Sequence, residues 1–267
     1  MIRPIYMTFK HPGNLCIVTA VDTEFKIVTG LLSSKHTQSL GGHADMIVCR
    51  GLARNFPVSV LKTEIGAPDF ADKFSDFLST QDFDAVIVAG FAGALSPDLK
   101  TGDPLIYTRC FNARGTNNKE KPSARDDFAS IHCNSHLSKF IIDSLRNSGS
   151  NPREISGVAV ERIITLSSEK LSLGAIYDAG AVDMESFDIL SACLRSGIPA
   201  AVLRIVSDEA LCDLPDLNRA VARDGRMHPG LMALAMLSAP VRSFRFVLGI
   251  RAAISSLRHN LGIIFNA

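Results

Sequence analysis

One stretch constrains the fold more than any other: residues 180–210, GAVDMESFDILSACLRSGIPAAVLRIVSDEA. It opens with Asp183 and Glu185 on either side of Met184. Ile189, Leu190, Cys193 and Leu194 recur at the spacing of one helical face, and Gly197 stands where a left-handed cap ends a helix. After Pro199 the run from Ala200 to Val206 is short and continuously apolar, the pattern of a buried strand. Glu185 then falls near a helix start and Asp208 just past the carboxyl end of a strand. Open α/β sheets bind their ligands at that edge.

The rest of the chain repeats the alternation. Leu15 to Ala20 reads as a first strand. Phe25, Ile27, Val28, Leu31 and Leu32 follow at helical spacing, which sets Glu24 in the first turn after that strand. Two readings of Glu24 stand: an acid favouring a helix N-terminus, or a group at the ligand edge. Short strands are expected at Met46–Cys49 and Val58–Leu61, and a helix at Phe70–Leu78. Ala85 to Ala89 is the clearest central strand. It runs into Gly90-Phe91-Ala92-Gly93-Ala94, read as a tight turn or as a place where a ligand meets backbone amides. A strand at Leu105–Tyr107 precedes a polar stretch, residues 112–130, expected to be a mobile surface loop. Asn134 is placed to cap a helix over Ser135–Arg146, ended by Gly149. A strand is expected at Gly157–Ile164, and a loop with a helical turn at Ser167–Ala179. His132 and His136 lie four apart, but the cap at Asn134 puts His132 outside the helix and no third ligand is near. No metal site is expected. The alternation implies an α/β fold with a mixed sheet in one domain.

Composition narrows the class. The chain has 267 residues, 46% of them hydrophobic and 21% charged, with a net charge of +1. That is enough apolar material for a core and no case for a nucleic-acid partner. Its six cysteines are scattered without a CxxC pair, as buried thiols of a reduced compartment are. No apolar run has the length of a membrane span, and the N-terminus lacks a signal-peptide core, so residues 1–13 read as a tail and a cytoplasmic location is expected. The C-terminal part differs. After Asp224 there is no acidic residue, while Arg242, Arg245, Arg251 and Arg258 are spread along it. Val247, Ile250, Ile254, Leu257, Leu261 and Ile264 form a stripe at helical spacing. Such a helix either packs on the body or a second subunit, or lies on an anionic membrane.

Three motifs, in order, carry a resemblance: Ile17–Phe25 (IVTAVDTEF), Val86–Asp103 (VIVAGFAGALSPDLKTGD) and Ala181–Asp208. Together they resemble the nucleoside phosphorylase and nucleosidase family over about residues 14–212. Ser207–Arg226 and the basic apolar helix after it resemble the hopanoid-associated branch, thought to remove adenine from adenosylhopane. The resemblance implies a three-layer α/β/α fold around a mixed twisted sheet. It implies a catalytic domain at 14–225 and a basic amphipathic helical extension at 226–267. It further implies a homo-oligomer, no cofactor (phosphate only as co-substrate of a phosphorylase), an adenine nucleoside, free or lipid-linked, as ligand, and peripheral contact with the inner membrane face.

The resemblance also implies roles. Breaking a purine N-glycosidic bond puts positive charge on the ribose and negative charge on the base. Asp208 matches the acid that protonates purine N7, for which burial or a neighbouring carboxylate would have to raise its pKa. Glu185 matches the acceptor of the ribose hydroxyls, and Met184 a residue packed on sugar or base. Arg204 matches a group near the nucleophile; paired with Glu24 or Glu185 it is a structural ion pair as well. Ser207, Phe91 and Gly93 complete the binding set. Glu24 matches the glutamate that activates water in the nucleosidases, and its charge disfavours a phosphate dianion. Phe91 stands where nucleosidases carry a small residue. The expected function is hydrolysis of a 5′-modified adenosine to adenine, adenosylhopane among the candidates. The alternatives are a phosphate-dependent phosphorylase, which is a glycosyl transfer, and a non-catalytic nucleoside-binding module.

Overall fold

The computed structural model describes residues 13–39, 46–63, 70–114, 129–220 and 228–267. Three apolar strands form its centre: β1 (Leu15–Thr19), β5 (Ala85–Ala94) and β10 (Ala200–Asp208). They lie side by side and parallel, β1 on β5 and β5 on β10. Every residue of β1 and β10 is buried. Alternate side chains feed opposite faces. Cys16, Val18, Val86, Val88 and Val202 join one core cluster, and Leu15, Ile17, Ile87, Leu203 and Ile205 the other. This is why these strands read as continuous apolar runs rather than alternating ones.

Helices cover both faces, giving three layers. On the first face lie α2 (Phe70–Ser79) and α5 (Ser186–Arg195), through Phe74, Phe77, Ile189 and Leu190. On the second lie α1 (Asp22–Thr29), α3 (Ser135–Asn147) and α7 (Pro240–Ile264), through Ile27, Leu137 and Leu257. Asn134 caps α3 as expected, its side chain accepting from the Leu137 amide at 3.0 Å.

The sheet is mixed. Beyond β1 it continues through β4 (Phe56–Lys62), β3 (Ile47–Ala53) and β2 (Ser33–Ser39). On the other side, β6 (Pro104–Asn112), β8 (Arg153–Ala159) and β9 (Ala181–Asp183) lead from β10 back to β5. Since β10 also pairs with β5, these five strands close into a ring. β7 (Ser130–His132) pairs with β6.

Several expectations change. Gly90–Ala94 is no turn; β5 runs through it. Asp208 ends β10 rather than following it. Residues 167–177 form a helix, α4 (Ser167–Tyr177). Gly174 sits inside it, close to the Leu95 backbone: a Cβ there would stand 3.0 Å from the Leu95 carbonyl oxygen. β2 was missed because its polar sequence, SSKHTQS, is exposed throughout and has no apolar alternation. Two helices, α6 (Pro229–Ser238) and α7, bent by 119°, stand where one extension was expected. The Leu257, Leu261 and Ile264 part of the expected lipid stripe is buried in the core, so packing on the body is the correct reading for that face. No single helix among the described residues is long and apolar enough to cross a membrane. The tail at 1–12 and most of the expected loop, 115–128, lie outside the described residues.

Candidate active site

The carboxyl ends of β1, β5 and β10 bring the expected residues to one edge of the sheet. Glu24 lies on the first turn of α1, buried. Its Oε2 accepts from the amides of Ala20 (2.9 Å) and Val21 (3.1 Å), and its Oε1 from the Phe91 amide (2.8 Å). Glu24 therefore caps the helix start and stands at the sheet edge. Phe91 takes part through its backbone, while its ring packs against the α1, α3 and α7 layer. Gly90 makes the meeting feasible. A Cβ there would lie 2.3 Å from Glu24 Oε1 and 2.6 Å from Arg204 Nη1.

Arg204 is opposite Gly90 in the strand register and almost fully buried. Its Nε lies 3.2 Å from Asp183 Oδ2, without hydrogen-bond alignment, and its Nη2 lies 3.3 Å from Glu185 Oε2. Nη2 also donates to Ser186 Oγ at 3.0 Å. At the start of α5, Asp183 accepts from the Glu185 and Ser186 amides at 3.0 and 2.9 Å. It is equally a partner of Arg204. Burial works against the arginine's charge, but Asp183 and Glu185 more than offset it and hold the pKa above the ordinary value. Burial pushes Glu185 up to about 7, with Arg204 opposing and Asp183 and Glu24 adding. Burial also raises Glu24, against Arg204 and the three amides.

Asp208 pairs in register with Gly93, across a bulge between Val206 and Asp208. Gly93 leaves room for it: a Cβ there would be 3.2 Å from Asp208 Oδ2. Ser207 Oγ donates to Asp208 Oδ1 at 2.7 Å. The neighbour on the other oxygen is a cation, not a second carboxylate. Lys170 of α4 is fully buried, with Nζ 2.5 Å from Asp208 Oδ2 and 3.0 Å from the carbonyl oxygens of Glu209 and Cys212. Three acceptors match the three donors of an ammonium. Lys170 and Ser186 were missed from sequence, as was Arg114, which donates to Asp188 and to the Met184 carbonyl oxygen. The Met184 side chain packs, partly buried, beside the cluster under α4. A separate groove of about 390 Å³ between β6 and α3 holds none of Glu24, Glu185, Arg204 or Asp208.

The comparisons agree with this fold. The sequence profile of the phosphorylase superfamily matches residues 14–237. Among solved structures, futalosine hydrolase of Helicobacter pylori superposes with a TM-score of 0.73 at 17% identity, covering 95% of this chain and 97% of that one. The 5′-methylthioadenosine/S-adenosylhomocysteine nucleosidase of Neisseria meningitidis, complexed with methylthio-immucillin-A, gives 0.71 at 17% identity, with 94% and 98% covered. A putative methylthioadenosine nucleosidase of Weissella paramesenteroides gives 0.63 at 18% identity, with 92% and 99% covered. Curated proteins gave no match to the sequence. With the profile spanning most of the chain and the three motifs converging on one sheet edge, the chain belongs to the phosphorylase superfamily, as an N-glycosidic-bond-cleaving enzyme of the nucleoside phosphorylase and nucleosidase kind.

Proposed function

We propose that the protein is a purine nucleosidase that hydrolyses a 5′-modified adenosine to adenine, with a lipid-linked nucleoside of the adenosylhopane kind as its substrate. The observation that carries hydrolysis is the charge balance around Gly90. Glu24, Asp183 and Glu185 surround one guanidinium, and Arg204 is already engaged by two of them. The other described cations of the site are engaged too, Arg114 by Asp188 and Lys170 by Asp208. A phosphate dianion meets net negative charge there, whereas water meets acceptors.

In this reading Glu24, held by three amides, orients the water and takes its proton. Glu185 accepts from the ribose hydroxyls and stabilises the developing positive charge. Asp208 carries the proton to N7 of the departing base, and Lys170 supplies it to Asp208. The likeness to the 5′-methylthioadenosine/S-adenosylhomocysteine nucleosidase of Neisseria meningitidis supports adenine as the base. The resemblance of residues 207–226 and the basic tail to the hopanoid-associated branch supports the lipid-linked 5′ group.

The test is chromatography of methylthioadenosine, 5′-deoxyadenosine and adenosine incubated with and without phosphate. Adenine and free sugar are expected in phosphate-free buffer, and Asp208→Asn should lower the rate by about 10²- to 10⁴-fold with an unchanged fold. Adenine appearing only with phosphate would make the protein a phosphorylase, and near-normal turnover by Asp208→Asn would remove it as the acid.

A further inference from the structure

The face of the C-terminal segment that the body leaves uncovered has its own pattern. Leu231, Leu234 and Leu237 recur every three residues along α6 and are exposed, Leu237 by 78%. Val241, Phe244 and Leu248 continue the exposed apolar surface at the start of α7, Phe244 by 66%. These are six of the twelve exposed large apolar side chains among the described residues, gathered at one bent corner. Scattered exposed leucines need no explanation, but a contiguous set does. Along α7 the same outward face, at spacings of three and four, passes from Phe244 and Leu248 to Arg251, Ser255 and Arg258, all exposed. From His228 to Ala267 the chain has four arginines and no lysine, aspartate or glutamate.

We infer that this corner docks on an anionic lipid bilayer. The α6 leucines and the first turns of α7 lie in the interface, and Arg245, Arg251 and Arg258 meet the headgroups. Apolar residues at the tip with Arg245, Arg251 and Arg258 along the same helix, Arg242 being paired with Asp213 at 3.0 Å, is the arrangement such a surface binds. A second copy of the chain fits less well. A two-fold interface would set this arginine-only segment against itself. The corner is joined to the chemistry: a Cβ at Gly249 of α7 would stand 2.5 Å from the Ser207 carbonyl oxygen, so the docking helix lies on the strand end that carries Asp208. Docking deepens the proposed function by naming where a lipid-linked nucleoside would be collected. It rests on that reading for its purpose and on the exposed surface for its evidence.

The experiment is co-sedimentation of the full chain with phosphatidylcholine vesicles, with and without about one third phosphatidylglycerol, alongside methylthioadenosine turnover and analytical ultracentrifugation. Binding to the anionic vesicles is expected to exceed that to neutral ones by about tenfold, and to fall several-fold as salt rises from about 0.1 to 0.5 M. The pair Leu237→Glu with Phe244→Glu should lower vesicle binding by about tenfold or more, with turnover of the soluble nucleoside and the thermal midpoint unchanged. Absent binding, equal binding to both vesicle types, or binding indifferent to the double substitution would overturn the inference. So would a vesicle-inert oligomer that the double substitution dissociates, which would assign the corner to a second copy. Vesicle binding without nucleoside turnover would sink the nucleosidase reading and leave docking standing.

Discussion

Lys170 shows how much a single position can owe to the fold. A lysine in the run Ser167-Ser168-Glu169-Lys170 has the look of a solvated helix residue, yet it is fully buried and joined to a carboxylate 38 residues away. A buried ammonium is tolerated only when paired and fully hydrogen-bonded, and here every donor has an acceptor. It thereby orients Asp208, and in the proposed mechanism it is the proton source. Lys170→Met should lower kcat by roughly 10- to 100-fold with KM near the wild-type value, and Lys170→Arg should return part of the rate. Because removing one partner of a buried pair costs about 3–5 kcal/mol, the rates belong well below the variant's thermal midpoint. A folded Lys170→Met at full kcat would end the assignment. Phe91 makes the complementary point: the departure from a small residue leaves its amide free to serve Glu24.

At the scale of elements, β1, β5 and β10 were legible because strands covered on both faces need uninterrupted apolar residues. α7 was legible as a helix but not in its orientation. It carries two apolar faces, one through Ala253, Leu257 and Leu261 and one through Val241, Phe244 and Leu248, and periodicity cannot choose between them. The sheet chose the first. Ser256 and Asn260 fasten that face with hydrogen bonds to the Gly102 carbonyl oxygen (2.7 Å) and from Ser150 (2.7 Å). Deleting residues 240–267 therefore removes Leu257, Leu261, Ile264 and Phe265 from the core. At about 2–5 kcal/mol for each large apolar side chain lost, this matches or exceeds a total stability of about 5–15 kcal/mol. The truncated chain should lack a cooperative thermal transition by circular dichroism. A sharp transition near the full-length midpoint would show that α7 is an appendage.

The whole molecule sets the ionisation of the site, since its charges come from separate elements: Glu24 from α1, Asp183 from β9, Glu185 at the start of α5 and Arg204 from β10. Burial lifts Glu185 from 4.5 to about 7. Between those values the folded chain binds more protons than the unfolded one, so this group's contribution to stability falls as pH rises through that window. Activity should move the other way, because the ionised carboxylate is the stronger acceptor for the ribose hydroxyls and alone carries the charge that stabilises the developing cation. The profile of kcat/KM should have an ascending limb with its midpoint near 7, absent in Glu185→Gln. A limb that survives in Glu185→Gln belongs to another group.

The layered α/β plan, the strand edge and the carboxylates placed along it were readable before folding, because buried strands, helix starts and caps are written in local runs of residue type. Which charges meet was settled by the folded arrangement. Arg204 could join Glu24, Asp183 or Glu185, Lys170 could face water or Asp208, and α7 could turn either apolar face inward. Those choices depend on contacts between residues far apart in the chain, where burial makes an unpaired charge too costly to leave and a local pattern carries no information about the partner.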